Sequence, residues 1–301
     1  MSLDNVLVGS SENLGKVLIV DYSNLLYRCV FVAFNEDPTD IEFKYWKHLM
    51  MFSIKGYIEQ FKPDHLIFSV DTKKSLWRHK ILSSYKGQRK SQRDASPVDF
   101  EKFFPIAHKF RDDLKSLLPN AYFVSSDGIE ADDFTAVLVK NIHDRCSEIV
   151  NVSTDKDFYQ LFKYPNYKQW NPIKKVFCEV LDPSAFLQAK ILMGDKSDNI
   201  PPVCERMGAA TAQKYVNHLD RLFDKHPEAI EKYELNTKLI SFDQIPQEVE
   251  DKVMEVFKGY ESGEYANRKM FNFLMENGLA KFSENLQEFN EEMKTIKPMV
   301  L

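Results

Sequence analysis

Short apolar runs alternate with longer segments of helical period over the first half of the chain. Lys16–Val20 (KVLIV) has the composition of a buried strand and ends on Asp21. Ile41–Phe61 follows with Trp46, Leu49, Met50, Ile54, Tyr57 and Ile58 at helical spacing, and His65–Val70 (HLIFSV) is a second apolar run, ending on Asp71. Val98–Leu118 reads as a long helix with Ser96 as N-cap and Pro97 at its first position. A third strand, Ala121–Val124, leads into DGIEADDFTAVLVKNI (Asp127–Ile142), where Phe134, Val137, Leu138 and Ile142 mark a helix face turned to a core. Asp127 with Glu130 three residues on predicts a capping box at its start. A fourth run, Glu148–Val152, is followed at once by Ser153, Thr154, Asp155, Lys156 and Asp157. Short strands alternating with long helices predict an α/β fold, a parallel sheet flanked by helices.

Beyond Leu161 the pattern changes. Lys168–Leu181 contains short β-like pieces, Ser184–Met193 reads as a helix, and from about Thr211 onward the period is helical, with polar connections near His226 and Ser241. A boundary is expected near Asp182–Pro183, followed by an acidic loop, GDKSDNIPPV (Gly194–Val203), that lends residues back to the first part.

Acids occupy one recurring place in this plan. Asp21, Asp71, the group Glu130, Asp132 and Asp133, and the pair Asp155 and Asp157 each come just after a strand. In open parallel sheets that edge is where sites assemble. A single aspartate there is an ordinary loop or capping residue, and an acidic first turn complements a helix dipole. Capping gives no reason, however, to direct two acids at a core face, and the apolar face of Phe134–Ile142 projected back one turn reaches Glu130 and Asp133. Like charges on a buried face are costly unless a cation compensates them, which points to a metal site.

Composition narrows the setting. At 301 residues, 44% apolar and 28% charged, the chain can build a sizeable core in one large or two modest domains. Cys29, Cys146, Cys178 and Cys204 are too scattered for a zinc spacing or a disulfide framework, which suggests a reducing interior. No basic start followed by an apolar run marks a signal peptide, and no apolar stretch reaches membrane-spanning length. The net charge of −5 argues against a general nucleic-acid coat, yet Lys73–Arg93 holds eight Lys/Arg and no acid, with Trp77 and Tyr85 interleaved. Charge runs are usually solvated connections. This one leaves the strand that delivers Asp71, so it starts beside the acids. Cations with aromatic faces suit a single-stranded nucleic acid, and a phosphodiester can approach clustered carboxylates only across divalent metal. Two Mg²⁺ ions ~3.5–4 Å apart would activate water and stabilise the leaving oxygen, and hard cations prefer such oxygen ligands. The chemistry converges on phosphodiester hydrolysis.

These residues resemble the flap-endonuclease/5′-nuclease family, and within it the branch of the T-even bacteriophage ribonucleases H. The likeness rests on VDYSNLLYR (Val20–Arg28), SVDTKKSLWR (Ser69–Arg78), YKGQRK (Tyr85–Lys90), IEADD (Ile129–Asp133), STDKDF (Ser153–Phe158) and GDKSDNI (Gly194–Ile200), in the family's order. YKQWNPIKK (Tyr167–Lys175) and NGLAKF (Asn277–Phe282) extend it over nearly the whole chain. The resemblance implies a PIN-like nuclease domain at 1–182, with a basic helical arch at about 73–95, and a helical DNA-binding region at 183–301 with a helix-three-turn-helix. It implies that Asp21, Asp71, Glu130 and Asp132 hold a first Mg²⁺ and that Asp155, Asp157, Asp195 and Asp198 surround a second, with Mn²⁺ able to substitute. Helix geometry favours Glu130 with Asp133, because residues two apart do not share a face, whereas the family pattern favours Glu130 with Asp132. A late helix start would let Glu130 and Asp132 converge, so all three remain candidates.

By the same resemblance, Lys86 and Arg89 are catalytic and contact the scissile phosphate region, Tyr85 stacks, and Arg28, Arg78, Lys90 and Gly208 bind nucleic acid. The implied activity is a 5′→3′ exonuclease and flap endonuclease with RNase H activity, a monomer that removes RNA primers during phage DNA replication in the cytoplasm of the infected cell. DNA and RNA–DNA hybrids with 5′ ends or flaps are the implied substrates, and a single-stranded-DNA-binding protein and other replication proteins the implied partners. One departure stands out: where the family's hairpin reads like IPGVPGIGPKTA, this chain has IPPVCERMGAATA (Ile200–Ala212), with Gly208 alone retained. An aspartyl-phosphate phosphatase would want an Asp two residues after Asp21, where Ser23 stands, and would leave the basic stretch unexplained. A binding protein with a decayed site would lack ligands, and none is missing.

Overall fold

Alternate residues of the short apolar runs belong to opposite faces of one sheet, as a period of two requires. The computed structural model describes residues 13–36, 45–72, 75–261 and 265–299, with the side chains of Lys90 and Gln92 outside that description. Six strands are seen among them: β1 (Gly15–Asp21), β2 (His65–Ser69), β3 (Ala121–Val124), β4 (Cys146–Val152), β5 (Tyr167–Asn171) and β6 (Val176–Phe177). They run in the order β3-β2-β1-β4-β5-β6, parallel except for β6. Leu18, Val20, Leu66, Phe68, Phe123 and Val150 face one core, while Val17, Ile19, Ile67, Tyr122, Val124 and Ile149 face the other.

Helices cover both faces. α1 (Tyr22–Glu36), α2 (Tyr45–Phe61), α3 (Leu76–Ile81), α4 (Arg89–Asp94), α5 (Phe100–Leu117) and α6 (Ala131–Ile142) alternate with the first strands. They are followed by α7 (Pro183–Met193), α8 (Ala209–Tyr215), α9 (Leu219–Lys225), α10 (Ala229–Ile240), α11 (Gln247–Lys258), α12 (Asn267–Glu276), α13 (Ala280–Ser283) and α14 (Leu286–Thr295). α1, α2 and α5 lie on one face, with Trp46 wholly buried between Phe103 and Phe110 at ring-centroid distances of 5.3 and 5.0 Å. α6 lies on the other. No helix among the described residues is long and apolar enough to cross a membrane.

The division expected at Asp182–Pro183 does not separate two cores. Met270, Phe273, Phe282, Phe289 and Met293 of α12–α14 complete the core under α2 and α5, and Val249, Val253 and Phe257 of α11 complete the one under α6. The segment from α7 to α10 has a small core of its own, built on Leu192, Val203, Met207, Ala212 and Leu222.

Three helix starts differ from expectation, each for a local reason. α5 begins at Phe100 because the Asp99 carboxylate accepts the Lys102 N–H at 3.2 Å, while Ser96 accepts from Val98 in a preceding turn. α6 begins at Ala131 with Glu130 as N-cap, so the capping pair is Glu130 and Asp133 in place of Asp127 and Glu130. The intervening Gly128 has φ +83, and a Cβ there would meet Leu76 at 2.6 Å. α7 starts one residue early, on Pro183, with Asp182 accepting the Ala185 N–H at 2.8 Å. The start expected at Ile41 lies outside the described residues; α2 is seen from Tyr45.

Candidate metal centre

β1 and β4 are neighbours at the point where the strand order reverses, the crevice in which open parallel sheets assemble their sites. Asp21 is the last residue of β1, and its two oxygens accept from the Asn24 N–H at 2.9 Å and the Ser153 hydroxyl at 2.8 Å. Asp71 follows β2 and accepts the Ala131 N–H at 3.0 Å, which ties that loop to the first turn of α6. Asp132 stands in this turn, and Asp155 follows β4 with its carboxylate accepting the Asp157 N–H at 2.8 Å. Burial, followed by Asp71 and Asp155, pushes the Asp21 carboxyl up to about 7. Asp132 is raised well above its ordinary value by burial and then by Asp155, Asp71 and Asp21, and Asp155 is raised by burial. Among the described residues no cation forms an ion pair with any of these four.

The remaining acids do have counterions. Lys86 pairs with Glu130 and lies 3.7 Å from Asp198, and Arg89 pairs with Asp198 at 3.0 Å. Lys190 bridges Asp157 and Asp195, 3.0 Å from the latter. Burial alone would raise Glu130 and Asp195, but the neighbouring cations win and both carboxyls sit below their ordinary values. Glu130, Asp132, Asp157, Asp195 and Asp198 line one polar cleft together with Arg78 and Tyr85. The loop of Asp195 and Asp198 is held against the arch by backbone geometry: Lys86, with φ 53, donates its N–H to the Asp198 carbonyl at 2.9 Å.

An all-oxygen donor set in which Asp21, Asp132 and Asp155 are raised fits hard divalent ions. Among the described residues the group of three carboxylates whose oxygens lie within 4.8 Å of one another is Glu59, Glu288 and Glu292, so the strand-end acids stand wider apart. Glu59 and Glu288 are already neutralised by Lys55.

Several residues singled out in the sequence take other places. Asp133 is wholly buried, and both its oxygens are used: Arg78 grips it at 2.8 and 3.0 Å and the Trp77 indole donates at 3.0 Å. Because α6 starts late, Asp132 joins Asp21, Asp71 and Asp155 while Asp133 turns inward. Arg78 is a correction: 3% exposed, it also reaches Glu130 at 2.7 Å and the Leu239 carbonyl at 3.0 Å, so it pins the arch to α6 and α10 and does not face a nucleic acid. Trp77 and Tyr85 are not open stacking faces either. Tyr85 is 3% exposed, its hydroxyl 3.1 Å from Glu130 and 3.0 Å from Asp198. Arg28 packs on Tyr57 and hydrogen-bonds its hydroxyl. Gly208 precedes α8 with open space where a Cβ would be. Lys73, Lys74 and the Lys90 side chain lie outside the described residues.

Two residues escaped the sequence reading. Lys190 is the single charged residue of α7, just upstream of the acidic loop, and that position was its signal. Tyr27 lies on α1, half-buried, within electrostatic reach of Asp71 and Arg93 and stacked on the exposed Phe31 at 6.3 Å. Nothing in its sequence position distinguishes it from a core aromatic.

A family model described as the 5′-3′ exonuclease N-terminal resolvase-like domain matches residues 16–190. The ribonuclease H of Enterobacteria phage T4 is 30% identical over 296 residues, which is 91% of this chain and 95% of that protein. The 5′-3′ exonuclease of Bacillus subtilis is 29% identical over 237 residues, 70% of this chain and 74% of that protein. Among solved structures, a pseudo-enzyme–product complex of the bacteriophage T5 flap endonuclease with DNA and metal ions superimposes with a TM-score of 0.64 over 80% of this chain and 98% of that one. At 22% identity that likeness is one of fold.

Proposed function

We infer the activity from one premise: the chain belongs to the 5′-3′ exonuclease family. It is a nuclease, and we propose that it works as a Mg²⁺-dependent 5′→3′ exonuclease and flap endonuclease with RNase H activity, removing RNA primers during phage DNA replication. The observation that carries this reading is the convergence of Asp21, Asp71, Asp132 and Asp155 at the strand ends, none of them in a direct ion pair with a cation among the described residues. Asp21, Asp71, Glu130 and Asp132 would hold a first divalent ion, and Asp155, Asp157, Asp195 and Asp198 would surround a second. Bound there, two such ions supply Lewis-acid stabilisation of the phosphate and water of lowered pKa.

The chain's own residues do the rest. Lys86 and Arg89, paired with Glu130 and Asp198, would orient the scissile phosphate and stabilise charge developing on it. Tyr27 and Phe31 offer the aromatic surface for bases that Tyr85 cannot, with Arg93 beside them for the backbone. Duplex DNA would lie along the segment from α7 to α10, with Gly208 at its hairpin. In this reading residues 1–182, with the arch at about 73–95, carry the chemistry and residues 183–301 the duplex contacts. The enzyme would act as a monomer in the cytoplasm of an infected bacterium, beside a single-stranded-DNA-binding protein and other replication proteins.

Digestion of a 5′-labelled flap and of an RNA–DNA hybrid, with Mg²⁺ and with EDTA, tests the reading. Cleavage should require the metal and leave 5′-phosphate products, and Asp155→Asn should abolish it with DNA binding retained. Metal-independent cleavage, or normal turnover by Asp155→Asn, would sink the assignment.

A further inference from the structure

The turn that carries Asp155 leaves the sheet at Val152, so its carbonyls lose their ladder partners and need others. Gln169 of β5 supplies them. Paired in register with Asn151 and wholly buried, it donates its amide NH₂ to the Ser153 carbonyl at 3.0 Å and to the Asp155 carbonyl at 2.6 Å. One side chain thus closes both ends of the Ser153–Asp155 turn. Ser153 then relays the constraint: its hydroxyl donates to Asp21 at 2.8 Å and accepts the Asp155 N–H at 3.0 Å. Asp155 in turn accepts the Asp157 N–H at 2.8 Å. Packing alone would be served better by Leu or Met, since an interior amide costs desolvation that only its hydrogen bonds repay.

We propose that Gln169 is a positioning residue for the metal centre: its amide fixes the Ser153–Asp155 turn so that Asp155, Asp157 and, through Ser153, Asp21 present their carboxylates together to divalent ions. It touches neither substrate nor solvent, and it acts only through the turn. The inference rests on the metal assignment above, so the experiment separates the two.

Mn²⁺ is titrated calorimetrically into the full chain without nucleic acid, comparing wild type with Gln169→Met, Asp21→Asn and Tyr167→Phe. Tyr167 lies in the same buried layer and accepts from Asn151 at 2.9 Å, but has no bond to the turn. Gln169→Met should weaken Mn²⁺ binding by about 10–100-fold, the usual cost of losing a residue that orients ligands. Cleavage by Gln169→Met should recover as Mn²⁺ is raised, and Tyr167→Phe should bind as wild type does. Wild-type affinity in Gln169→Met, with loss in Asp21→Asn, overturns the role of Gln169 alone. Equal weakening in Gln169→Met and Tyr167→Phe reduces it to packing. Unchanged binding in Asp21→Asn overturns the metal assignment and this proposal with it. If Gln169→Met does not fold, Ser153→Ala cuts the same relay one bond later, and wild-type Mn²⁺ affinity there overturns the proposal equally.

Discussion

Replacing Asp21 by Asn should stabilise the metal-free protein above neutral pH while abolishing cleavage. The Asp21 side chain is 7% exposed, and burial, then Asp71 and Asp155, raise its carboxyl from 3.8 to about 7. Below the unfolded value both states carry the proton and nothing is lost. As pH rises the unfolded chain releases it first, so folding is progressively disfavoured until the folded carboxyl ionises as well. At about 1.4 kcal/mol per pH unit, that interval makes the wild type about 4 kcal/mol less stable at about pH 8 than at about pH 4. Asn carries no charge and keeps an acceptor for the Asn24 N–H, but loses the Ser153 hydrogen bond, worth about 1 kcal/mol. The variant should therefore gain about 3 kcal/mol near pH 8 and lose about 1 kcal/mol in acid. Urea denaturation in EDTA at several values between about pH 5 and pH 8 measures this, and that window lies above the titration of the lowered carboxyls Glu130 and Asp195. Added Mg²⁺ should restore the wild type near pH 8 and do much less for the variant, because ligand binding to the folded state adds stability. A wild-type stability that is flat or rising across that window, or a variant less stable at its upper end, would refute the reasoning.

Arg78→Met leaves Asp133 buried without its bidentate partner and should cost about 3–5 kcal/mol in denaturant melts, while the salt dependence of DNA binding stays as in wild type. Lys86→Ala should slow single-turnover cleavage by about 10²–10³-fold with a smaller loss of binding, whereas Lys80→Ala, on the exposed side of α3, should lose affinity alone. Gly194 ends α7 at φ +65 and lies where a Cβ would fall 2.4 Å from the Ile200 carbonyl. Gly194→Ala should thus lower the unfolding free energy by more than the ~1 kcal/mol that relieving glycine's flexibility could add back, and displace the Asp195–Asp198 loop, read as weaker Mn²⁺ binding.

The strands were legible because a run such as KVLIV, buried on both faces of a parallel sheet, has one local solution, and an acid after each run follows it to the same edge. That was enough to bring Asp21, Asp71, Asp132 and Asp155 together, and the late start of α6 was already one of the open alternatives. Periodicity could not say which cation faces which acid. Arg78 and Tyr85 read as nucleic-acid contacts from an acid-free stretch, yet their partners Glu130, Asp133 and Asp198 come from α6 and from the loop after α7. Gln169 carried no local signal and Lys190 only its place before an acidic loop, because what each does depends on an acid or a turn supplied by another element. The sequence by itself determined the elements, their alternation and the edge where carboxylates gather, since these follow from side-chain period and strand burial. Which carboxylates form a direct ion pair and which do not emerges from the packing of distant elements, because charge pairing acts over a few ångströms in space and is blind to distance along the chain.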